Sequence, residues 1–398
     1  MRIAMIHWAF FPIIGGTETH LALLCPELVK LGHDVSLLTG AVDGTPEKEV
    51  WKGVTIKRTP LLNINSLINE NIEEKYEEIR ETFEEFLSDF QPDIVHAHNM
   101  HYFSYTHAKA LQEICKSYNC PLILTAHNEW KDELWQKICT LSSNWNRIIA
   151  VSHYIRQELI VSGYPANRTH VVYHGIDLEM FHPPKLAEIY RILKDYPTLK
   201  NRRVIFHPAR LRRGKGCDLS IRAMDILRRE FPDAILVLAG NTKNIVDTEG
   251  KGDTERDYIY KLIEELELEE HVYISSFHWS EIPKIYMIAD VCIYPSTSQE
   301  PFGLVLLESM ATAKPIIVSR SGGMTEIVKP GFNGFVVDRG DYEGLARYIS
   351  FLLKNPEIAE EIGLNGRQYV EENFTIEALI QNTLQVYESA LKETISVA

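Results

Sequence analysis

The segment from Gln299 to Glu308 carries two carboxylates, Glu300 and Glu308, eight positions apart around a predicted helix start. Pro301 suits the first helical position, and Gly303 removes a side chain in the first turn, so a ligand can approach the backbone closely. The N–H groups and the dipole of a helix N-terminus favour a phosphate. Glu308, two turns further on, suits hydroxyl donors. The pattern predicts a phosphate beside a polyol, as in a nucleotide sugar, although a capped core helix with one salt-bridged glutamate is the alternative.

A second candidate site is the basic turn from Arg210 to Gly216, which follows a predicted strand. Arg210 and Lys215 flank this turn just before a helix predicted to begin at Asp218. Cations at a strand end, opposite the Glu300 loop, favour binding of a diphosphate. A solvated turn of lysines and arginines without a ligand is the other reading.

Two further candidates lie in the first half of the chain. A Gly15-Gly16 turn joins the first predicted strand to a helix predicted over 19–31, and His127 ends the fifth predicted strand. The glycines let backbone N–H groups approach a phosphate or a sugar, but such a pair also occurs in ordinary turns. His127 is either a ligand contact at a strand end or a hydrogen-bonded structural histidine.

The elements that must position these residues are short β-rich runs alternating with helical patterns, which is typical of parallel sheets built from βαβ units. The first set of predicted strands is Arg2–His7, Asp34–Thr39, Val54–Arg58, Asp93–His98, Pro121–His127, Arg147–Ser152 and His170–Tyr173. The second set is Val204–Pro208, Ala234–Ala239, Val272–Ser275, Val291–Pro295, Pro315–Val318 and Gly334–Val337. The sequence therefore predicts an α/β protein with two doubly wound, Rossmann-like halves.

The chain of 398 residues is longer than one core usually organises, so two domains are expected. A Gly- and Pro-rich seam near His174–Pro184 separates the two strand sets. We predict domains at 1–178 and 179–374, with a final helix at about 375–398 that packs back on the first domain. Because ligands bind beyond the carboxyl ends of parallel strands, the strand-end loops of two such domains are expected to face one another across a cleft.

Composition limits the partners. A formal net charge of −14 argues against nucleic acid, whose phosphates require clustered lysine and arginine. Much of the acidic charge lies between Asn69 and Asp89, a run that predicts an amphipathic surface helix with Ile72, Tyr76, Ile79 and Phe83 inward. There is no charged leader and no stretch of about 18 apolar residues, so a cytoplasmic protein is expected, with at most peripheral membrane contact. Six cysteines without C-x-x-C spacing are expected to be reduced.

The chain resembles the retaining glycosyltransferases of GT-B fold, specifically family 4 (glycosyl transferases group 1), over nearly its whole length. The resemblance rests on these features in this order: Gly15-Gly16, Ala126-His127, Val151-Ser152, the segment Asn167–Asp177 with His174-Gly175-Ile176-Asp177, Arg210 with Lys215, Glu300-x7-Glu308 and Ser321-Gly322-Gly323-Met324-Thr325-Glu326. One departure is Ala209, where relatives commonly have glycine before the arginine. Its small side chain is expected to have little effect.

The resemblance implies roles for these residues. Arg210, Lys215 and the N–H groups of Gly303, Leu304 and Val305 would bind the leaving diphosphate of a nucleotide sugar, as its charge develops. Gly16 would also contact the donor. Glu308 would accept hydrogen bonds from the ribose, Glu300 would bind hydroxyls of the transferred sugar, and His127 would contact that sugar near its reacting face. The implied catalytic set is therefore Glu300, His127, Arg210 and Lys215.

The resemblance also implies the cofactor and the partners. No Asp-x-Asp pair is found, so the basic turn is expected to replace a metal ion, and no cofactor is expected. The partners would be a nucleotide-sugar donor and a hydroxyl acceptor bound by the first domain, such as a sugar, an aminocyclitol or a lipid-linked glycan. An aromatic platform could bind that acceptor, or it could belong to the core: Trp8, Phe10, Phe11, Tyr102, Phe103, Trp130 and Trp135. Sugar-nucleotide epimerases, phosphorylases and a non-catalytic sugar-nucleotide-binding subunit remain alternatives on this scaffold.

Overall fold

The computed structural model describes residues 1–67, 70–240 and 252–397, and the chain packs into two compact units. Unit 1 comprises Met1–Gly175 and Ile376–Ala398, and unit 2 comprises Ile176–Thr375. The predicted α/β class is confirmed, with one largely parallel sheet in each unit.

Unit 1 contains an eight-stranded sheet. Its strands are β1 Arg2–Ile6, β2 Asp34–Gly40, β3 Lys48–Trp51, β4 Val54–Thr59, β5 Ile94–His98, β6 Leu122–Ala126, β7 Arg147–Ala150 and β8 Thr169–Val171. The helices between them are α1 Gly16–Lys30, α2 Ile64–Leu67, α3 Tyr76–Phe90, α4 Tyr105–Ser117, α5 Glu133–Cys139 and α6 His153–Val161. The strand order is β3-β4-β2-β1-β5-β6-β7-β8, and only the β3–β4 pair is antiparallel. Each of the seven strands predicted for this half has a counterpart, with ends shifted by a few residues.

β3 has no counterpart among the strands predicted from the sequence. This edge strand pairs with β4 through the turn Lys52-Gly53, where both residues have positive φ, 48° and 84°. Two residues of positive φ between antiparallel strands form the hairpin turn that matches strand twist. β3 was not predicted because its side chains are exposed or half-exposed and form no apolar run.

The acidic helix also begins later than predicted. Ile72 lies in a short 3-10 turn, and α3 starts only at Tyr76, with Ile79 and Phe83 buried beneath it. Asn69, the predicted start, lies outside the described residues. The predicted apolar face is thus confirmed for Ile79 and Phe83, whereas Ile72 and Tyr76 are half-exposed.

Unit 2 contains a six-stranded parallel sheet. Its strands are β9 Arg203–His207, β10 Ala234–Ala239, β11 Val272–Ser275, β12 Val291–Tyr294, β13 Ile316–Ser319 and β14 Phe335–Val337. Its helices are α7 Leu186–Asp195, α8 Cys217–Leu227, α9 Gly252–Glu265, α10 Ile282–Ile288, α11 Leu304–Ala311, α12 Met324–Ile327, α13 Tyr342–Lys354 and α14 Pro356–Asn373. The order β11-β10-β9-β12-β13-β14 is that of a doubly wound dinucleotide-binding sheet. Chain order reverses between β9 and β12, so a ligand is expected beyond those two strand ends.

The last helix, α15 Ile376–Val397, belongs to unit 1. Its Leu379, Val386 and Tyr387 are part of the buried core beneath the sheet of that unit. Tyr387 Oη lies 2.6 Å from Nδ1 of the buried His96 on β5. The final helix therefore completes the core that the first residues of the chain begin.

Both cores follow from the sequence pattern. The central strands are nearly continuous apolar runs because helices cover both faces of each sheet, as in β1 (residues 3–6) and β10. All six cysteines are free thiols. Within the described ranges, no helix combines the length and apolar character needed to span a membrane.

Candidate active site

The residues predicted for diphosphate binding lie at the point where the sheet of unit 2 reverses its order. The basic turn with Arg210 and Lys215 follows β9, and the loop with Glu300 follows β12. β9 and β12 are neighbours in the sheet, so residues 85 positions apart in sequence come into contact. This position at the carboxyl ends of adjacent strands is where doubly wound sheets bind their ligands.

The two loops are held together by bonds to one carbonyl. Gly214 O accepts from the backbone N–H of Thr297 and of Ser298, both at 3.1 Å, and Ser296 Oγ lies 2.9 Å from it. Gly216, two residues further on, has φ of 77°, and a Cβ there would lie 2.0 Å from Pro295 O. Glycine is thus required for the basic turn to approach the β12 loop so closely.

Lys215 and Glu300 form a partly buried ion pair. Lys215 Nζ donates to Glu300 Oε1 at 2.7 Å, and Ser296 Oγ donates to the same oxygen at 2.8 Å. Glu300 is only 6% exposed. Burial alone would lower the pKa of Lys215, but Tyr294 and Glu300 outweigh it and raise that pKa to about 12. The positive charge of the nearby Arg210 acts in the opposite direction and lowers the pKa of Lys215. With a pKa of about 12, Lys215 is charged at neutral pH.

The backbone of Glu300 is fixed by the next strand-end loop. Its N–H donates to Ser321 Oγ at 3.1 Å, and its carbonyl accepts from Gly323 N at 2.8 Å. Gly322 has φ of 46°, and a Cβ there would lie 2.2 Å from Glu300 O. The Ser321-Gly322-Gly323 motif thus fixes the backbone from which the side chain of Glu300 extends.

The helix that follows Glu300 begins later than predicted. Gly303 is its N-cap residue, with φ of 98°, and α11 starts at Leu304, so the prediction of Pro301 as the first helical residue is wrong. The left-handed conformation of Gly303 prevents the helix from extending back to Pro301. The first N–H groups of α11, those of Leu304 and Val305, belong to the turn in which a helix has no intrahelical acceptors.

Glu308 lies on α11 next to a buried tyrosine. Tyr286 Oη donates to Glu308 Oε2 at 2.8 Å and also lies 3.3 Å from Val305 O. Burial raises the pKa of Glu308 to about 7, although the bond from Tyr286 acts in the opposite direction. Glu308 therefore changes its charge near neutral pH, a property that spacing alone does not predict.

The candidates in unit 1 lie at the corresponding strand ends of its own sheet. Gly16 is the first residue of α1, after the N-cap residue Gly15, and His127 directly follows β6. His127 is buried, its backbone N donates to Asn99 Oδ1 at 2.9 Å, and its Nε2 lies 3.0 Å from His98 Nδ1. Burial, together with His20 and His174, lowers its pKa well below the usual value, so the imidazole is neutral.

The predicted aromatic platform divides into buried and accessible members. Trp8, Phe10 and Trp135 are buried, whereas Trp130 is 44% exposed. The Trp130 ring stacks on Tyr102 with a centroid distance of 5.7 Å and an interplanar angle of 3°. Trp130 is therefore the member with a large accessible ring face.

Several residues of the site were not predicted from the sequence. Ser296, Tyr294 and Tyr286 contact Glu300, Lys215 and Glu308, respectively. Ser296 could have been identified from the sequence, because Ser296-Thr297-Ser298 directly follows a strand. Hydroxyl groups at such positions commonly form hydrogen bonds with the neighbouring backbone. The tyrosines lie within apolar patterns that indicate only a core.

Comparison with known proteins assigns the family. The family model "Glycosyltransferase Family 4" matches residues 14–180, and "Glycosyl transferases group 1" matches residues 190–369. An uncharacterized glycosyltransferase of Methanocaldococcus jannaschii is 28% identical over 98% of this chain and 99% of its own length. Spore coat protein SA of Bacillus subtilis is 32% identical over 67% of this chain and 72% of its length.

The fold agrees with that assignment. The Anabaena protein HepE, solved in complex with UDP and glucose, superposes with a TM-score of 0.79 at 21% identity, covering 98% of this chain and 100% of that one. At this identity the likeness concerns the fold, which confirms the predicted GT-B class. The chain belongs to the group 1, family 4 glycosyltransferases and is a transferase enzyme.

Proposed function

We propose that this glycosyltransferase retains anomeric configuration while it moves a hexosyl group from a nucleotide diphosphate sugar to an acceptor hydroxyl. The transferred group would be glucosyl, N-acetylglucosaminyl or mannosyl, and the acceptor a sugar, an aminocyclitol or a lipid-linked glycan. One observation carries the proposal: Lys215 and Glu300 form a single hydrogen-bonded unit at the switch point of the unit 2 sheet. A cation and a hydroxyl-binding carboxylate are what a sugar diphosphate needs side by side.

The leaving diphosphate would be bound by charge already in position. An ammonium group has three N–H donors, so Lys215 can keep its bond to Glu300 and still donate to a phosphate oxygen. Arg210 adds a second cation, and the N–H groups of Leu304 and Val305 add the helix N-terminus. Together they would stabilise the negative charge that grows as the sugar departs, and no divalent ion would be required.

The sugar and the nucleoside would be bound by the two glutamates. In Glu300, Oε1 accepts from both Lys215 and Ser296, which orients Oε2 as the acceptor for a sugar hydroxyl. In Glu308, Oε2 is bonded to Tyr286, so Oε1 would accept from the ribose. The departing phosphate would take the proton of the acceptor hydroxyl, which accounts for retention without a covalent intermediate on the protein.

The acceptor would bind to unit 1, near Trp130. An indole face packs well against the apolar face of a pyranose or cyclitol ring, and the exposed ring of Trp130 is held flat by Tyr102. Gly16 and His127 would contribute donor contacts at strand ends of the same unit.

The test begins with donor binding and ends with product analysis. Thermal stabilisation is measured with UDP, GDP, ADP and their sugars, with and without a chelator, on the wild type and on Glu308→Ala. We expect one base to stabilise the wild type regardless of chelator and the variant to lose that response. NMR of the transfer product then gives the anomeric configuration. Epimerised donor or transfer to inorganic phosphate would replace the proposal with the corresponding activity, and an inverted product would refute retention.

A further inference from the structure

Four histidines of unit 1 converge from four different elements. His20 lies on α1, His98 ends β5, His127 follows β6, and His174 lies beyond β8. All four are buried. One ring nitrogen from each of His20, His98 and His127 lies within 4.8 Å of the other two. Two members of this histidine cluster face each other through nitrogen atoms, His98 Nδ1 and His127 Nε2 at 3.0 Å.

The fourth histidine extends the same arrangement. His174 Nδ1 lies 2.9 Å from His20 Nδ1, and the His174 ring stacks on His127 with centroids 5.3 Å apart. In each of the two pairs, one imidazole nitrogen thus faces another. His98 Nε2 is buried and has no hydrogen-bond partner among the described residues. Among the described residues, the cluster therefore contains one buried imidazole nitrogen, His98 Nε2, that no hydrogen bond uses.

These distances are close to those of a metal site. With Zn–N bonds of about 2.0–2.1 Å, two nitrogens of a tetrahedral zinc ion lie about 3.3 Å apart. The facing pairs need to separate by a few tenths of an ångström to reach that value, and the widest separation among His20, His98 and His127, up to 4.8 Å, needs to shorten by up to about 1.5 Å. Burial lowers the pKa of all four histidines, so they are neutral and able to act as ligands at neutral pH.

We propose that His20, His98 and His127, with His174 as the fourth ligand, bind Zn²⁺ and that the bound ion inhibits the enzyme. Imidazole suits zinc and similar transition metals, whereas Mg²⁺ prefers oxygen ligands, which this set lacks. A buried carboxylate lies in the adjoining layer, since Glu18 Oε1 accepts from His7 Nε2 at 3.1 Å and the His7 ring is 6.4 Å from His98. Its negative charge would partly offset that of the cation.

Inhibition rests on the proposed function, because that function assigns His127 to the sugar. A zinc-bound His127 cannot offer the same nitrogen to a sugar hydroxyl. The transfer reaction itself would thus need no metal ion, but zinc bound to the histidine cluster would inhibit it. The two properties concern different residues, because the diphosphate residues belong to unit 2 and the histidine cluster belongs to unit 1.

Zinc binding is tested first, without any substrate. Calorimetric titration of the full-length protein with Zn²⁺ should give one tight equivalent, and Mg²⁺ should give no heat. His20→Asn and His98→Asn should each weaken zinc binding by at least about tenfold. His182→Asn is the matched control, because His182 is half-exposed in unit 2 and lies outside the histidine cluster, with its Nδ1 3.0 Å from Pro183 O and its Nε2 3.9 Å from Glu188 Oε1. Circular dichroism verifies that each variant is folded.

Cobalt gives a readout that needs no variant. Co²⁺ bound by three or four imidazoles in a tetrahedral site produces intense visible bands, which excess Zn²⁺ should remove. A wild-type protein that binds no zinc equivalent, or zinc affinity unchanged in both cluster variants, would overturn the proposal. So would cobalt bands of the weak octahedral type.

Transferase activity is measured separately, so that the proposed function and the proposed zinc site can be refuted independently. Zn²⁺ should inhibit transfer by the wild type, a chelator should reverse this, and His20→Asn should require at least about tenfold more zinc. Zinc binding without any transfer would refute the proposed function and leave the metal site standing. Transfer that zinc does not inhibit, despite one bound equivalent, would refute the inhibitory role.

Discussion

The titration of Glu308 predicts that donor binding depends on pH near neutrality. Burial raises the pKa of this carboxyl to about 7, and Tyr286 Oη already bonds to Oε2. If the ionised carboxylate accepts from the ribose, binding strengthens as pH rises through 7. A group with this pKa is about nine-tenths protonated at pH 6 and about nine-tenths ionised at pH 8, so donor affinity should rise about tenfold, or about 1.4 kcal/mol.

The assay is calorimetry with an intact nucleotide sugar at pH 6, 7 and 8. The sugar ester is used because the terminal phosphate of a free nucleoside diphosphate itself titrates in this range. Glu308→Gln is the matched control, since its amide is neutral throughout and its affinity profile should be flat. Tyr286→Phe removes a bond that lowers the pKa, so its profile should move to higher pH. Equal wild-type affinities at pH 6 and 8, or the same slope in Glu308→Gln, would refute the ribose role.

Three further outcomes are expected. Because the native carboxyl of Glu308 binds its proton more tightly than the unfolded one, wild-type stability should fall between pH 5 and 7, and Glu308→Gln should lack that part of the slope in urea titrations. Lys215→Ala should reduce kcat about ten- to a hundredfold at saturating donor, since a charged bond to the leaving group contributes roughly 1.5–3 kcal/mol; an unchanged kcat contradicts that role. Gly216→Ala should lower the free energy of unfolding by roughly 1–3 kcal/mol, because its φ of 77° and the contact with Pro295 O exclude a side chain; a wild-type melting temperature would contradict this.

The sequence predicted the architecture well because periodicity is a local property. Apolar runs such as those of β1 and β10 identify buried parallel strands without knowledge of their neighbours. The ends of helices and strands were predicted less accurately, since the backbone conformation of single residues determines them. The φ of 98° at Gly303, for instance, moves the start of α11 to Leu304.

The site was only partly predictable. Lys215 and Glu300 were both identified, but their direct bond depends on the adjacency of β9 and β12, which sequence spacing does not encode. The raised pKa of Glu308 likewise results from packing around α11. The histidine cluster was missed as a unit because its members are spread over 155 positions, from residue 20 to residue 174, and only the sheet brings their strand ends together.

The return of α15 to unit 1 determines when each unit can mature during synthesis. The core of unit 1 includes Leu379, Val386 and Tyr387, whereas unit 2 ends at Thr375. When the nascent chain has emerged from the ribosome as far as Thr375, every residue of unit 2 is available for folding. The sheet of unit 1 still lacks its final helix at that point. A stop codon just after Thr375 would thus remove core residues of unit 1, although most of that unit is formed by residues 1–175. Such a truncated chain should retain a folded unit 2 beside a unit 1 that proteases can cleave.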